Sequence, residues 1–311
     1  MTLLAAFDLS QFLRDVHDPQ VLVDAVGLGA VYALMAVGIG LVFGVLRLVN
    51  FAYGQIVMAG AYALALASQW DWPAWAGIVL CFAVVIALSM AMDRVVFRPL
   101  RTQSPAVMLV ATFAVAFLLQ SIALLVFGSL GKPASSLGYL NRPVGVGSVD
   151  IRKITIIAIV VAAVCLVAVV LLLGRTTVGL HMRAAAMDFR TARLLGVKAN
   201  RVIGSAVLVS ALLAGAVSVI LTVQNPLVTP NFALRETIVV LAGVVVGGMN
   251  RLLSATLGGF AIGFASGLLG GALPSEQSQY LPSFLFGLVI LVLIVRPGGL
   301  FTRGRGPVER V

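Results

Sequence analysis

Eight long stretches without a charged residue constrain this chain more than any other feature. They span residues 25–46, 48–70, 72–92, 102–131, 154–174, 202–234, 252–275 and 277–295. An α-helix rises about 1.5 Å per residue, so about 20 apolar residues cross a hydrocarbon layer about 30 Å thick. A helix also satisfies its own backbone hydrogen bonds in lipid. The stretches therefore predict an all-α polytopic membrane protein.

The composition excludes a soluble fold. Of the 311 residues, 61% are hydrophobic and only 10% are charged, whereas a soluble domain carries about 25% charged residues. A transmembrane β-barrel would need polarity that alternates at every second residue, and the apolar run 156–161 shows no alternation. The net charge of +10 is therefore assigned to loops at a cytoplasmic membrane face, with lipid and not nucleic acid as the partner.

A ninth uncharged segment, residues 237–250, has only 14 residues. It either crosses the membrane, which gives nine spans, or re-enters from one side, which gives eight. Lys and Arg collect in short cytoplasmic loops, and nine spans with the N-terminus outside place most of them there. We therefore expect about nine transmembrane helices and a cytoplasmic C-terminus. The domains are then an interfacial segment 1–20, a transmembrane domain 21–302 and a basic cytoplasmic tail 303–311.

The chain lacks the residue groups that catalysis requires. His17 and His181 are its only histidines, and neither has a second metal ligand at helical spacing. The phosphate-binding pattern GxxxxGK[ST] is absent, so we expect no nucleotide, metal or other cofactor bound by this chain. The predicted span interiors offer neutral polar groups instead of the ionisable residues that ion coupling commonly uses. This favours a path driven by an external energy source, and an ion-coupled secondary carrier stays open.

Glycines four residues apart predict close helix packing. The predicted packing positions are Gly40, Gly44, Gly243, Gly247, Gly259, Gly263 and Gly267. Small residues at this spacing let two helices approach closely in lipid. The same smooth faces would also let helices slide or tilt.

Residues 27–60 read GLGAVYALMAVGIGLVFGVLRLVNFAYGQIVMAG. This stretch resembles the first two spans of the branched-chain amino acid permeases of ABC importers, in which a Gly-rich YAL helix is followed by an NFAHGE-like turn. Tyr53 stands where that family usually has His, and Gln55 where it often has Glu, so a proton-sensitive role is not carried over. The likeness extends over residues 25–302, including the closing RPGGLF.

Five polar residues are the predicted translocation path: Asn50, Tyr53, Gln55, Thr112 and Gln120. Amide, phenol and hydroxyl groups can exchange hydrogen bonds with a passing polar solute. For Asn50 a purely structural alternative is a cap on the second helix, with its side chain accepting from an early backbone N–H.

Residues 176–201 read TTVGLHMRAAAMDFRTARLLGVKANR and form the longest charged inner segment. We expect one or two short helices closed by Gly196, because glycine tolerates left-handed backbone angles at a helix end. The segment resembles the ABC permease coupling loop, which contacts the ATPase. The matching positions are Gly179, Arg183, Ala184, Asp188, Ala192, Leu195 and Gly196. The alternative is a basic loop held by anionic lipid head groups.

The resemblance implies a membrane permease subunit of an ATP-driven ABC importer in the cell inner membrane. Its implied partners are a second permease subunit, two ATP-binding subunits that hold ATP and magnesium, and an external solute-binding protein. The implied solute is a branched-chain or other hydrophobic amino acid, and relatives of this permease type leave urea, short amides and aromatic acids as alternatives. A receptor-like or scaffold membrane protein is the remaining class.

Overall fold

Apolar helices make up most of the chain in the computed structural model, which describes residues 18–46, 49–100, 103–146, 149–187, 189–248, 251–273, 278–296 and 299–300. The predicted tail 303–311 and most of the predicted segment 1–20 lie outside these ranges. The helices are α1 Pro19–Leu46, α2 Tyr53–Gln69, α3 Ala74–Met92, α4 Pro105–Phe127, α5 Lys153–Arg175, α6 Thr177–Met187, α7 Phe189–Leu194, α8 Ala199–Gln224, α9 Leu234–Gly247, α10 Leu252–Ala272 and α11 Leu281–Val295. The predicted all-α polytopic fold is confirmed.

Six helical stretches are long and apolar enough to cross a membrane by themselves. They are Pro19–Leu46, Ala74–Leu100, Pro105–Phe127, Lys153–Arg175, Asn200–Gln224 and Leu252–Ala272. The second of these continues α3 through a π-helical segment, Asp93–Phe97, and one further turn, Arg98–Leu100. Helices α2, α9 and α11 are shorter, with 17, 14 and 15 residues.

Two small antiparallel ladders lie at one end of the helix bundle, which we call the strand end. Strand β1 (Lys132–Pro133) pairs with β4 (Leu227–Val228), and β2 (Pro143–Val146) pairs with β3 (Val149–Arg152). Helix α1 also begins here, because the Gln20 side chain accepts from the Asp150 amide at 3.0 Å. The predicted boundary after residue 20 therefore falls inside a helix.

The opposite end carries α6, α7 and several arginines, and we call it the arginine end. A groove of about 600 Å³ is lined there by the last turns of α1, by Met182 and Arg183 of α6, and by Arg251 and Leu252. The Leu300 amide donates to the Val246 carbonyl at 2.8 Å. The last described residues of the chain therefore lie at the end where α9 finishes.

Helix α9 starts deep inside the bundle. Its first turn touches Gly54 of α2, since a Cβ built at Gly54 would lie 2.9 Å from the Ala233 carbonyl oxygen. Ser68, 14 residues further along α2, accepts from the Ser135 amide at the strand end. At 1.5 Å per residue, the start of α9 lies about 20 Å below that end. A non-helical segment, residues 225–233, covers this distance, and α9 then runs to the arginine end.

Helix α2 also starts inside the bundle, and the chain reaches its first residue from the arginine end. Its first residue, Tyr53, packs on Gly38 of α1, which lies eight residues before the end of α1 at Leu46. That spacing corresponds to about 12 Å of helix. Two non-helical segments therefore enter from opposite ends and bring the first turns of α2 and α9 together. We call residues 50–55 and 231–237 the mid-bundle junction.

Close glycine contacts hold α10 against its neighbours. Cβ atoms built at Gly259, Gly263 and Gly267 would meet Ala36, Tyr32 and Ala25 of α1, and those at Gly243 and Gly247 would meet α10. A Cβ built at Gly40 would lie 3.0 Å from the Leu252 side chain. Gly44 departs from the predicted packing role, because a Cβ there meets no described atom within 4 Å and the residue borders the open groove.

Candidate functional site

Asn50 turns the chain into α2 at the mid-bundle junction. Its side-chain oxygen accepts from the Ala52 amide at 3.0 Å, and its carbonyl accepts from the Tyr53 amide at 3.4 Å. The sequence indicated this capping role, but the amide that is satisfied belongs to Ala52, the residue before the helix. Asn50 is therefore fixed as part of a turn and is 4% exposed.

Tyr53 and Gln55 are both buried at the start of α2 with polar atoms left over. Within the described chain, the Tyr53 hydroxyl and the Gln55 carbonyl oxygen have no hydrogen-bond partner. Tyr53 lines a small cavity of about 10 Å³ together with Asn50, Ser89 and Ser210. Such a space holds about one water molecule. The predicted path residues Asn50 and Tyr53 thus share a polar site that is closed to larger solutes in this conformation.

Thr112 and Gln120 of α4 bind the two non-helical segments. The Phe51 amide donates to the Thr112 hydroxyl at 3.4 Å, and the Phe51 ring stacks on Phe113 with centroids 4.0 Å apart. The Gln120 side-chain amide donates to the side-chain oxygen of Asn231. Helix α4 therefore links residues 49–52 to residues 225–233. Asn231 was missed from the sequence because it lies in an apolar stretch that predicted helix.

Two fixed charges stand on the first turn of α9. Arg235 is exposed, whereas one Glu236 carboxylate oxygen is buried with no hydrogen-bond partner in the described part of the chain. Both residues act electrostatically on Tyr32 in the middle of α1, and Ser266 lies within hydrogen-bonding reach of the same hydroxyl. The expectation that the bundle interior holds only neutral polar groups is wrong here, because the segment before α9 enters the bundle and carries these residues inward.

A sharp corner joins α5 to α6 at the arginine end. The Thr176 hydroxyl donates to the Leu172 carbonyl at 2.6 Å and accepts from the Gly179 amide at 3.1 Å, which caps the N-terminus of α6. A Cβ at Gly179 would overlap the backbone of Leu172 and Leu173. Gly179 is thus a packing residue of the corner.

The two short helices and the glycine exit are present where the sequence indicated them. Gly196 has φ of +87°, and the Val197 amide donates to the Ala192 carbonyl at 3.1 Å, the bond of a Schellman ending. Met182, Ala185 and Ala192 face inward and are buried. Ala192 therefore anchors the segment to the bundle.

Several other side chains of this segment point outward. Arg183 is exposed and Ala184 is half-buried, while Asp188 lies outside the described residues. Leu195 is 80% exposed, and Leu180, Met187 and Leu194 are exposed as well. We call these four apolar residues the loop patch. Leu180, Met187 and Leu194 were not among the predicted coupling residues. The signal that could have found them is the presence of apolar side chains within a charged segment.

The comparisons with known proteins agree over nearly the whole chain. A family model described as the branched-chain amino acid transport system permease component matches residues 21–294. The high-affinity branched-chain amino acid transport system permease protein BraD of Pseudomonas aeruginosa is 30% identical, over 95% of this chain and 98% of its own length. LivH of Escherichia coli K12, of the same description, is 28% identical over 94% of this chain and 97% of its own.

A more distant relative and a solved structure extend this agreement. A probable branched-chain amino acid transport permease protein LivH of Methanocaldococcus jannaschii is 25% identical over 91% of this chain and 90% of its own. The structure of PsaBC from Streptococcus pneumoniae in complex with Fab has a TM-score of 0.51 at 13% identity, covering 94% of this chain and 97% of that chain, which is a likeness of fold. This chain belongs to the family of branched-chain amino acid transport system permease components.

Proposed function

We propose that this chain is the membrane permease subunit of an ATP-driven importer that takes up a branched-chain or other hydrophobic amino acid from an external binding protein. The observation that carries the proposal is the family match across residues 21–294, joined to relatives named as permeases of that transport system. The chain would serve as the gated path and leave ATP hydrolysis to other subunits.

The loop patch supports a cytoplasmic protein partner. Leu180, Met187, Leu194 and Leu195 are exposed on two short helices outside the bundle, beside the exposed Arg183. Several exposed apolar side chains beside a charged one are typical of a protein interface. We assign this surface to an ATP-binding subunit that binds ATP and magnesium. A complete importer would contain two such subunits and a second permease subunit.

The arginine end would then face the cytoplasm. Arg175, Arg183 and Arg251 lie there, in agreement with the preference of basic residues for cytoplasmic loops. The Leu300–Val246 hydrogen bond brings the last described residues to the same side. We therefore propose an inner-membrane protein with a cytoplasmic C-terminus and a strand end that meets the external binding protein.

The mid-bundle junction is the proposed gate of the path. Unpartnered buried polar groups such as the Tyr53 hydroxyl are costly in a closed site and would gain partners when the site opens to solute. Discontinuous helices near the bilayer centre are a recurring way to form transport sites. Asn50, Tyr53, Gln55, Thr112 and Gln120 all belong to this junction or to α4, which binds its two segments.

Reconstitution with the partner subunits tests this proposal. Arg183→Glu and Leu195→Asp are expected to abolish stimulation of ATP hydrolysis by leucine-loaded binding protein and to stop leucine uptake, with membrane insertion unchanged. Arg183→Lys and Leu195→Met are the matched controls, because they keep the positive charge and the apolar surface at the same exposed positions. Normal coupling in both test variants would contradict the loop assignment. Leucine accumulation in vesicles that contain this chain alone would instead establish a secondary carrier.

A further inference from the structure

The first turn of α9 carries opposite charges at a depth where a membrane protein seldom keeps them. Arg235 and Glu236 both act on Tyr32, which packs on Gly259 and Gly263 in the middle of α10. The contact between Gly54 and Ala233 places the same turn about 20 Å from the strand end. The charges therefore lie in the central part of the bundle and not in a surface loop.

Charged side chains at such a depth face water or other protein and not hydrocarbon. Arg235 is exposed on the surface of this chain, and so are Asn231 and Ile238 on neighbouring turns. One Glu236 oxygen is shielded from solvent and has no hydrogen-bond donor in the described chain. The first turn of α9 thus presents the Arg235 cation and a Glu236 carboxylate with too few hydrogen-bond donors, next to the side-chain amide of Asn231.

The backbone adds positive potential at the same place. The first turns of α2 and α9 touch at Gly54 and Thr237, so both helices point their N-termini into the junction. The aligned peptide dipoles of a helix give its N-terminus about half a positive charge, although the Tyr53 and Leu234 amides already donate to the Asn50 and Asn231 carbonyls. A carboxylate is favoured there, whereas an ammonium group would be drawn to Glu236.

We propose that Arg235 and Glu236 recognise the two charged ends of an amino acid zwitterion as it passes the mid-bundle junction. Arg235, in the positive potential of the two helix N-termini, binds the carboxylate, and Glu236 binds the ammonium group. This assignment rests on the proposed function, because it takes an amino acid as the solute. It adds a selection step within the permease to the selection made by the binding protein.

A reporter cysteine tests the assignment without relying on delivery by the binding protein. Ile238 is 43% exposed and lies one turn beyond Arg235, so I238C in the assembled complex should react with a hydrophilic methanethiosulfonate. The unmodified chain is the control for Cys81 and Cys165. Leucine should protect I238C, and E236Q should raise the leucine concentration needed about 10- to 100-fold, the effect of losing one charge-assisted hydrogen bond.

Leucine analogues separate the two charged groups. 4-Methyl-2-oxopentanoate has no ammonium group, so E236Q should not change how well this compound protects I238C. Isopentylamine has no carboxylate, so R235Q should not change how well isopentylamine protects I238C, whereas it should weaken protection by leucine. D71N is the matched control, since Asp71 lies at the strand end with φ of +52°, which asparagine tolerates. In the D71N variant, leucine should protect I238C at the same concentration as in the parent.

The possible outcomes are decisive for the proposal. An unreactive I238C would overturn it, because the α9 turn would not be lined by water. Equal leucine protection in the parent and in E236Q would also overturn it. Uptake of leucine by the parent complex in that case would leave the proposed function intact. Absence of leucine uptake by the parent complex would count against the proposed function, and against this assignment with it.

Discussion

Gly54 and Thr237 are in direct contact where the first turns of α2 and α9 meet, and no side chain fits between them. A Cβ at Gly54 would overlap the Thr237 hydroxyl and lie 3.0 Å from the Thr237 Cβ. Thr237 cannot swing away without loss, because its hydroxyl donates to the Ala233 carbonyl at 2.7 Å. The contact therefore fixes how two broken segments meet inside the bundle.

Gly54→Ala is expected to destabilise the protein by about 1–3 kcal/mol, the usual cost of adding a methyl group to a filled site. The added methyl group would press on the Ala233 carbonyl, which is backbone and moves little. Thermal unfolding of the detergent-purified protein measures the effect as a lower Tm. Gly174→Ala is the control, since a Cβ there meets no described atom within 4 Å. Equal Tm values for the two variants would show that the junction is loosely packed.

Gly196→Ala is expected to weaken coupling to the ATP-binding subunits. With φ of +87°, an alanine there costs about 1–2 kcal/mol, which the segment can avoid by changing the exit of α7 and moving Leu195. The measurement is stimulation of ATP hydrolysis by leucine-loaded binding protein in the reconstituted complex. Gly196→Asn is the matched control, because asparagine tolerates left-handed backbone angles better than alanine does. Loss of coupling in both variants would show that the backbone angle at residue 196 is not the cause.

The Asp93–Arg98 ion pair predicts a non-additive effect on stability. The Arg98 guanidinium lies 2.9 Å from the Asp93 carboxylate, which is 1% exposed, whereas Arg98 is 35% exposed. Arg98→Ala should cost about 1–3 kcal/mol, because it leaves a buried carboxylate unpaired. Adding Asp93→Asn to Arg98→Ala should recover part of this loss. Thermal unfolding of both variants tests the prediction, and a double variant less stable than the single one would contradict it.

Most of the helices could be predicted from the absence of charge. Helices α4 and α5 occupy 105–127 and 153–175, close to the uncharged windows 102–131 and 154–174. Lipid requires long uncharged segments to be helical, so charge alone locates such spans. The absence of charge locates a span where one helix runs from one end of the bundle to the other.

The candidate site was harder to predict because it depends on broken segments. Residues 225–233 are as uncharged as the helix before them, so composition cannot distinguish a buried non-helical strand of chain from a helix. The nine-span prediction put Arg235 and Glu236 between two spans, whereas the contacts of Gly54 with Ala233 and Thr237 place this turn inside the bundle. Asn50 gave a local turn signal, and its side chain forms the turn before α2 and not the predicted cap. The exposed side chains of the loop patch depend on how α6 and α7 pack, which only the structure reveals.

Close approach of α10 to α1 predicts opposite effects for two glycines of the same helix. A Cβ at Gly263 would lie 2.7 Å from the Tyr32 Cβ and 2.9 Å from the Gly29 Cα, so Gly263→Ala should lower stability by about 1–3 kcal/mol. A Cβ at Gly270 meets only Leu281, at 3.7 Å, so Gly270→Ala should be neutral or raise stability by up to about 1 kcal/mol through helix propensity. Thermal unfolding compares the two. Because the charge of Glu236 acts on Tyr32, Gly263→Ala should also slow leucine uptake. A stable, fully active variant would show that α1 and α10 need not approach this closely.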